Sequence, residues 1–184
     1  MVLLVVLVVL ALLLLAGAGA MRAVDSGNVI SGNFAFQQAA MQAADRAFTD
    51  ARNAATSAVS AGSGNSNVNN RYFSTRQTTL DARGFPTAIN WDAVSCVDPQ
   101  GVLITNCAAD DGEFRIQYVI ERMCNTNPTL SDINDIRAKC EYEANVDALS
   151  ANSIPLRYRV IIRVRGPRGT EQWFEAMLSG PASS

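Results

Sequence analysis

The hydrophobic pattern divides the chain into stretches of different period. From Met1 to Met21 the run MVLLVVLVVLALLLLAGAGAM carries no charged or polar side chain. At about 1.5 Å per residue such a helix is roughly 31 Å long, the hydrocarbon thickness of a bilayer. The next stretch changes period. Phe36, Ala40, Ala43, Ala44, Ala47, Ala51, Ala54, Ala55 and Ala58 recur at steps of three and four, with Gln37, Gln38, Gln42, Asp45, Arg46, Asp50 and Arg52 between them. This predicts an amphipathic helix with a narrow, alanine-lined face. Gly17, Gly19, Gly27 and Gly32 fall between the two stretches, weak helix formers where the backbone could bend or extend. The segment GAGAMRAVDSGNVISGN, residues 17–33, therefore reads in two ways. It is either the end of a cleaved signal peptide, with Ala18-Gly19-Ala20 as the small-residue site, or the interior of one long helix.

After Val59 the helical period fades, and AGSGNSNVNN, residues 61–70, is a Gly/Ser/Asn-rich connector. Residues 71–110, with Gly84, Pro86, Pro99 and Gly101, read as irregular loop with short strands. Three strand-like segments follow: FRIQYVIERMC (114–124), PLRYRVIIRVRGP (155–167) and EQWFEAMLS (171–179). In the second, Tyr158, Val160, Ile162 and Val164 face one way, and Arg157, Arg159, Arg163 and Arg165 the other. Gly166-Pro167-Arg168-Gly169-Thr170 is a turn sequence that joins the last two as a hairpin. Residues 129–151 read as loop with a short helix around Asp132 to Glu141. The expected fold is α+β: an antiparallel sheet with one apolar face, covered by the alanine face of the long helix. The chain then divides into residues 1–22, the transmembrane half of the helix; 23–60, its amphipathic half; and 61–184, a globular head.

Composition narrows the chemistry. At 184 residues and a formal charge of −2, nothing global pulls the chain toward nucleic acid or acidic lipid. There is no histidine, which removes the commonest general base, the Ser-His and Cys-His pairs and the usual zinc ligand. The carboxylates of Asp110, Asp111 and Glu113 read as solvated surface, with a calcium site as the sharper alternative. Neither a cofactor nor an enzymatic activity is expected. Cys96, Cys107, Cys124 and Cys140 all follow the apolar run, an even number in a domain that the run would deliver outside the cytoplasm, and two disulfides are expected. Of the three connectivities, the sequential one closes the smallest loops, and the sequence leaves the choice open.

Taken together, Met21-Arg22, Ile30-Ser31-Gly32-Asn33, Ala40-Met41-Gln42-Ala43-Ala44-Asp45, Tyr118-Val119-Ile120-Glu121 and the hairpin from Tyr158-Arg159-Val160 through Gly166-Pro167-Arg168-Gly169 resemble one family. In this spacing the chain is similar to the type IV pilins and, within them, to the PilX-type minor pilins. The resemblance covers residues 1 to about 60 and the C-terminal hairpin, whereas the middle third is only loosely alike. No single motif is specific; the shared register carries the likeness. It implies a pilin-like fold and a single-pass protein of the bacterial inner membrane, with its head in the periplasm. It also implies assembly into a pilus with other minor pilins and the major pilin, through an inner-membrane assembly platform. The register puts Met1 at the first mature position, after cleavage by a prepilin peptidase and with a methylated amine. One departure is informative. The family's usual glutamate at the fifth mature position is replaced here by Val5. In the family that carboxylate is thought to pair with the N-terminal amine of an adjoining subunit, and a tip subunit has no neighbour above it to supply the amine. The resemblance thus implies a non-enzymatic subunit that initiates or caps the fibre, and it leaves open whether that fibre serves adhesion, twitching motility or DNA uptake. Two rival readings accompany it: DNA capture by Arg157, Arg159, Arg163 and Arg165, against cross-strand pairing with Glu171 and Glu175, and a type II secretion pseudopilin.

Overall fold

A computed structural model of the chain describes residues 1–60, 64–68, 70–108, 113–143 and 154–182; the side chain of Arg168 lies outside this description. The elements, in order, are α1 (Val2–Ser60), β1 (Tyr72–Phe73), β2 (Cys96–Val97), β3 (Leu103–Ile104), β4 (Arg115–Arg122), α2 (Ile133–Lys139), β5 (Pro155–Arg165) and β6 (Glu171–Pro181). Two compact units are distinguished, Met1–Ala39 and Ala40–Ser184.

The first unit is helical from Val2, through Gly17, Gly19, Gly27 and Gly32, without a break. Each glycine costs about 1 kcal/mol of helix propensity relative to alanine, too little to end a hydrogen-bonded ladder alone. The helix is not interrupted at these glycines, and the extended backbone offered as an alternative is not found.

In the second unit the rest of α1 buries Ala40, Ala43, Ala44, Ala47, Ala51, Ala55 and Val59, the expected alanine face. It lies on a sheet of order β3-β2-β4-β5-β6, antiparallel throughout, to which β1 adds in parallel beside β4. The register places Ile116, Tyr118 and Ile120 of β4 opposite Val164, Ile162 and Val160 of β5. These side chains, with Leu156 and Tyr158, are buried, and a recess shared by Ala55, Thr56, Tyr158 and Leu178 marks the side on which α1 sits. Small alanine side chains let the helix approach closely. Gly180 does the same locally: a Cβ there would stand 3.1 Å from the Tyr158 ring, whose hydroxyl donates to the Pro181 carbonyl at 2.6 Å. The short helix falls where expected, with Asp132 as its N-cap accepting from Asn134 N and Asp135 N.

The opposite face corrects the expectation of a sheet with one apolar face. Val119 and Ile161 form a second buried cluster there with Ile89 and Val94 from the segment before β2, flanked by Phe73, Phe85, Trp91 and Trp173. Trp173 stacks on Phe85 and meets Trp91 edge-on, with ring centroids 4.8 Å apart in both pairs. Gln117 fastens this cover by donating to the carbonyls of Trp91 and Val94, each at 2.7 Å.

Candidate functional site

The first candidate surface is the apolar helix itself. Every side chain from Met1 to Leu15 is exposed within its unit, Val5 by 59 %. Such a continuous apolar surface far exceeds the few hundred Å² that soluble monomers ordinarily expose. Its backbone bonds are closed within the helix, and its side chains from Met1 to Leu15 are all apolar. Among the described residues this is one helix long and apolar enough to cross a membrane. The charged sequence begins with Arg22 and Asp25, which are both exposed. No carboxylate occurs from Met1 to Met21, so the surface asks for no counter-charge from whatever surrounds it.

The second candidate is the arginine row. β5 places Arg157, Arg159, Arg163 and Arg165 on the side away from α1. Arg157 is exposed and Arg159 buried, while Arg163 and Arg165 are half-buried. Arg159 lies 3.1 Å from Glu175 and 3.9 Å from Glu121, and it donates to the Gly84 carbonyl. Arg163 forms a 2.7 Å ion pair with Glu171 and sits 5.3 Å from the Trp173 ring centre; Arg165 reaches the same glutamate at 3.7 Å. The Arg163 guanidinium, helped by a hydrogen bond from Trp173, outweighs burial and holds the Glu171 carboxyl below its ordinary value. The guanidiniums of Arg159 and Arg163 are thus turned toward protein acceptors.

The sequence reading missed the group at the centre of this face. Glu121 is fully buried, and neither of its oxygens meets a donor at full hydrogen-bonding geometry. Burial pushes its carboxyl up to about 7, against the opposing pull of Arg159 and of the Gln77 backbone N–H. The available signal was register: Glu121 shares the face of Arg115, Gln117 and Val119 and stands directly opposite Arg159. Arg122 was also missed. It is fully buried on the other face, donating to the Ser74 carbonyl at 3.0 Å and to Asn65 and Asn127 at 2.6 and 3.1 Å.

The cysteines form two bridges, Cys96–Cys107 and Cys124–Cys140. The first ties β2 to the segment after β3, and the second closes α2 against the end of β4. Asp110 and Asp111 lie outside the described residues, while Glu113 stands 3.4 Å from Arg115. Among the described residues no group of three or more His, Cys, Asp or Glu is arranged to hold a metal ion.

No protein-family model, curated protein or solved structure matches the chain. Its class is therefore defined by architecture: an α+β chain with a long apolar N-terminal helix and a disulfide-bonded antiparallel sheet.

Proposed function

We propose that the chain is a minor pilin of the PilX type, a single-pass protein of the bacterial inner membrane that initiates or caps type IV pilus assembly. The observation that carries this reading is one helical run, Val2–Ser60, apolar in its first third and alanine-faced where it docks on the sheet. A separate anchor and head would need no such shared element. In this reading the apolar run is stored in lipid, and extraction by the assembly platform exchanges lipid for the helices of other minor pilins and the major pilin. Both surroundings are apolar, so the exchange is nearly neutral in hydrophobic free energy. The periplasmic head is stapled by its disulfides and supplies contacts to other subunits. Val5 supports the initiating or capping position, because a buried carboxylate without an amine partner would cost several kcal/mol.

The test is the N-terminal sequence and intact mass of the protein from native membranes, together with immunogold labelling of sheared pili. Retention of residues 1–21, with label at fibre ends, is the expected result. Cleavage after Ala20 would remove the anchor and the pilus reading with it. Even labelling along the shaft would leave a pilus subunit but overturn its placement at the tip.

A further inference from the structure

Residues 79–87, at the edge of the loop-covered face, form a small hairpin that closes on itself. Thr87 N donates to Thr79 O and Asp81 N to Phe85 O, at 2.9 and 2.8 Å. The Asp81 carboxylate accepts from the backbone N–H groups of Arg83 and Phe85, each at 2.9 Å, and Gly84, at φ +86°, makes the turn. Thr79, Leu80, Ala82, Arg83 and Thr87 are exposed. The hairpin's hold on the sheet is narrow. Among the described residues one hydrogen bond joins it to a strand, from Arg159 of β5 to the Gly84 carbonyl. Beside that bond, the Phe85 ring stacks on Trp173 of β6, and the Arg83 guanidinium lies 5.3 Å from the centre of the same indole.

Arg159 is shared between the hairpin and the buried acid. Its Nε and Nη2 lie 3.1 and 3.2 Å from the two oxygens of Glu175, Nη2 also donates to Gly84, and Nη1 stands 3.9 Å from Glu121, beyond hydrogen-bonding distance. The other groups around Glu121 offer it no free charged donor. β1 sets Phe73 opposite it on the far side of the ladder. Arg76, from the segment after β1, acts on it from a distance and is paired with Glu141, while the Gln77 N–H approaches it short of full hydrogen-bonding geometry. Glu175 of β6 repels its charge. Asp81 and Arg83 of the hairpin bind each other.

We propose that the hairpin of residues 79–87 is latched to the sheet by Arg159 and is released when Glu121 ionises, uncovering the Trp173 ring on which Phe85 stacks. A neutral Glu121 asks little of Arg159. A carboxylate in the same buried place does, because an ionised group without a donor is far costlier than a neutral one. Once Glu121 gives its proton to solvent, Nη1 of Arg159 gains by moving inward about 1 Å, into the range of a charge-assisted hydrogen bond. That shift draws Nη2 off the Gly84 carbonyl. The Glu175 side chain is 47 % exposed and can follow the guanidinium, whereas the Gly84 carbonyl is held within the turn. Burial raises the Glu121 carboxyl to about 7, so the latch is closed below neutral pH and open above it. The inference uses only the head and stands apart from the pilus reading.

The test is acrylamide quenching of tryptophan fluorescence in the full chain in detergent micelles, without denaturant, with circular dichroism recorded on the same samples. Trp91→Phe keeps an aromatic ring beside Trp173 and leaves Trp173 as the one indole. In this parent the quenching constant should rise about twofold or more between about pH 5.5 and about pH 8.5, with the circular dichroism level. Adding Glu121→Gln, neutral throughout, should hold the constant at its low acid-side value at both ends. Adding Arg159→Leu instead removes the latch, and in a chain that keeps the native circular dichroism the constant should be high at both ends. If that variant fails to fold, the Glu121→Gln comparison still decides. A parent constant indifferent to pH, an equal rise with Glu121→Gln, or a low constant in folded Arg159→Leu would each overturn the proposal. So would a rise that comes with loss of the strand signal, which would mean that the head unfolds as a whole.

Discussion

The two faces of the head's sheet are covered by different means. On one, a helix lays a row of alanines over Ile116, Tyr118, Ile120, Val160, Ile162 and Val164. On the other, an irregular segment brings Phe85, Ile89, Trp91 and Val94 down onto Val119, Ile161 and Trp173, among Gln117, Glu121, Arg159 and Arg163. The helix-covered face is specified by period and side-chain size. The loop-covered face is specified by individual pairings, such as Gln117 with two carbonyls and Arg159 with Glu175. The first should therefore fail when a single charge enters it. The second should lose stability in steps as its pairings and stacks are removed.

The largest effect is expected from Ala51→Asp. Ala51 is fully buried against the sheet, and an unpaired carboxylate there costs about 4 kcal/mol or more. Urea unfolding of the full chain in micelles, followed by Trp91 and Trp173 fluorescence, should show the head largely unfolded without denaturant. A near-native midpoint would mean that the helix does not hold this face. Trp173→Ala comes next, at about 3 kcal/mol, from the lost stack on Phe85, the edge contact with Trp91 and the Arg163 guanidinium over its ring. Circular dichroism should show a lower midpoint with the fold retained. A loss equal to that of Ala51→Asp would erase the contrast between the faces.

The alanine face was legible because α1 obeys one period over many turns, so Ala40 through Val59 announce their shared direction without knowledge of the sheet. The strands were legible for the same reason, and β4, β5 and β6 lie within the segments read as strands, except that β6 continues to Pro181. What period cannot convey is which loop lies on which face. Phe85, Ile89 and Trp91 sit in a stretch with no period and many turn residues, and their destination depends on contacts across the sequence, to Ile161 and Trp173. The arginine row illustrates the consequence. Alternation placed it on the polar face correctly, but that face is roofed by the loop, so Arg159 is buried. Glu121 was passed over because one acid in YVIERMC looks like the polar phase of a half-exposed strand until β5 is set in register beside it.

Glu121→Gln should give the smallest effect and the most specific signature of the loop-covered face. Its ordinary pKa of 4.5 is raised to about 7 in the fold, chiefly by burial. The folded state therefore keeps a proton that the unfolded state gives up between those two values. Stability from this group is present in full below the unfolded pKa, falls as pH rises through the window, and is flat above about 7. The shift bounds the loss at about 3 kcal/mol. The glutamine variant should recover about 1–2 kcal/mol of it, since an amide at this site is still buried without a donor and Arg159 loses one of its two carboxylates. Unfolding midpoints measured from about pH 4 to about pH 8 should fall for the natural chain and run nearly level for the variant, the two converging at the acid end. Arg159 keeps Glu175 and the Gly84 carbonyl in the variant, so the fold should survive the change. An unaltered slope in the variant would place the pH dependence on other carboxyls and would remove Glu121 as the source of pH sensitivity in the loop-covered face.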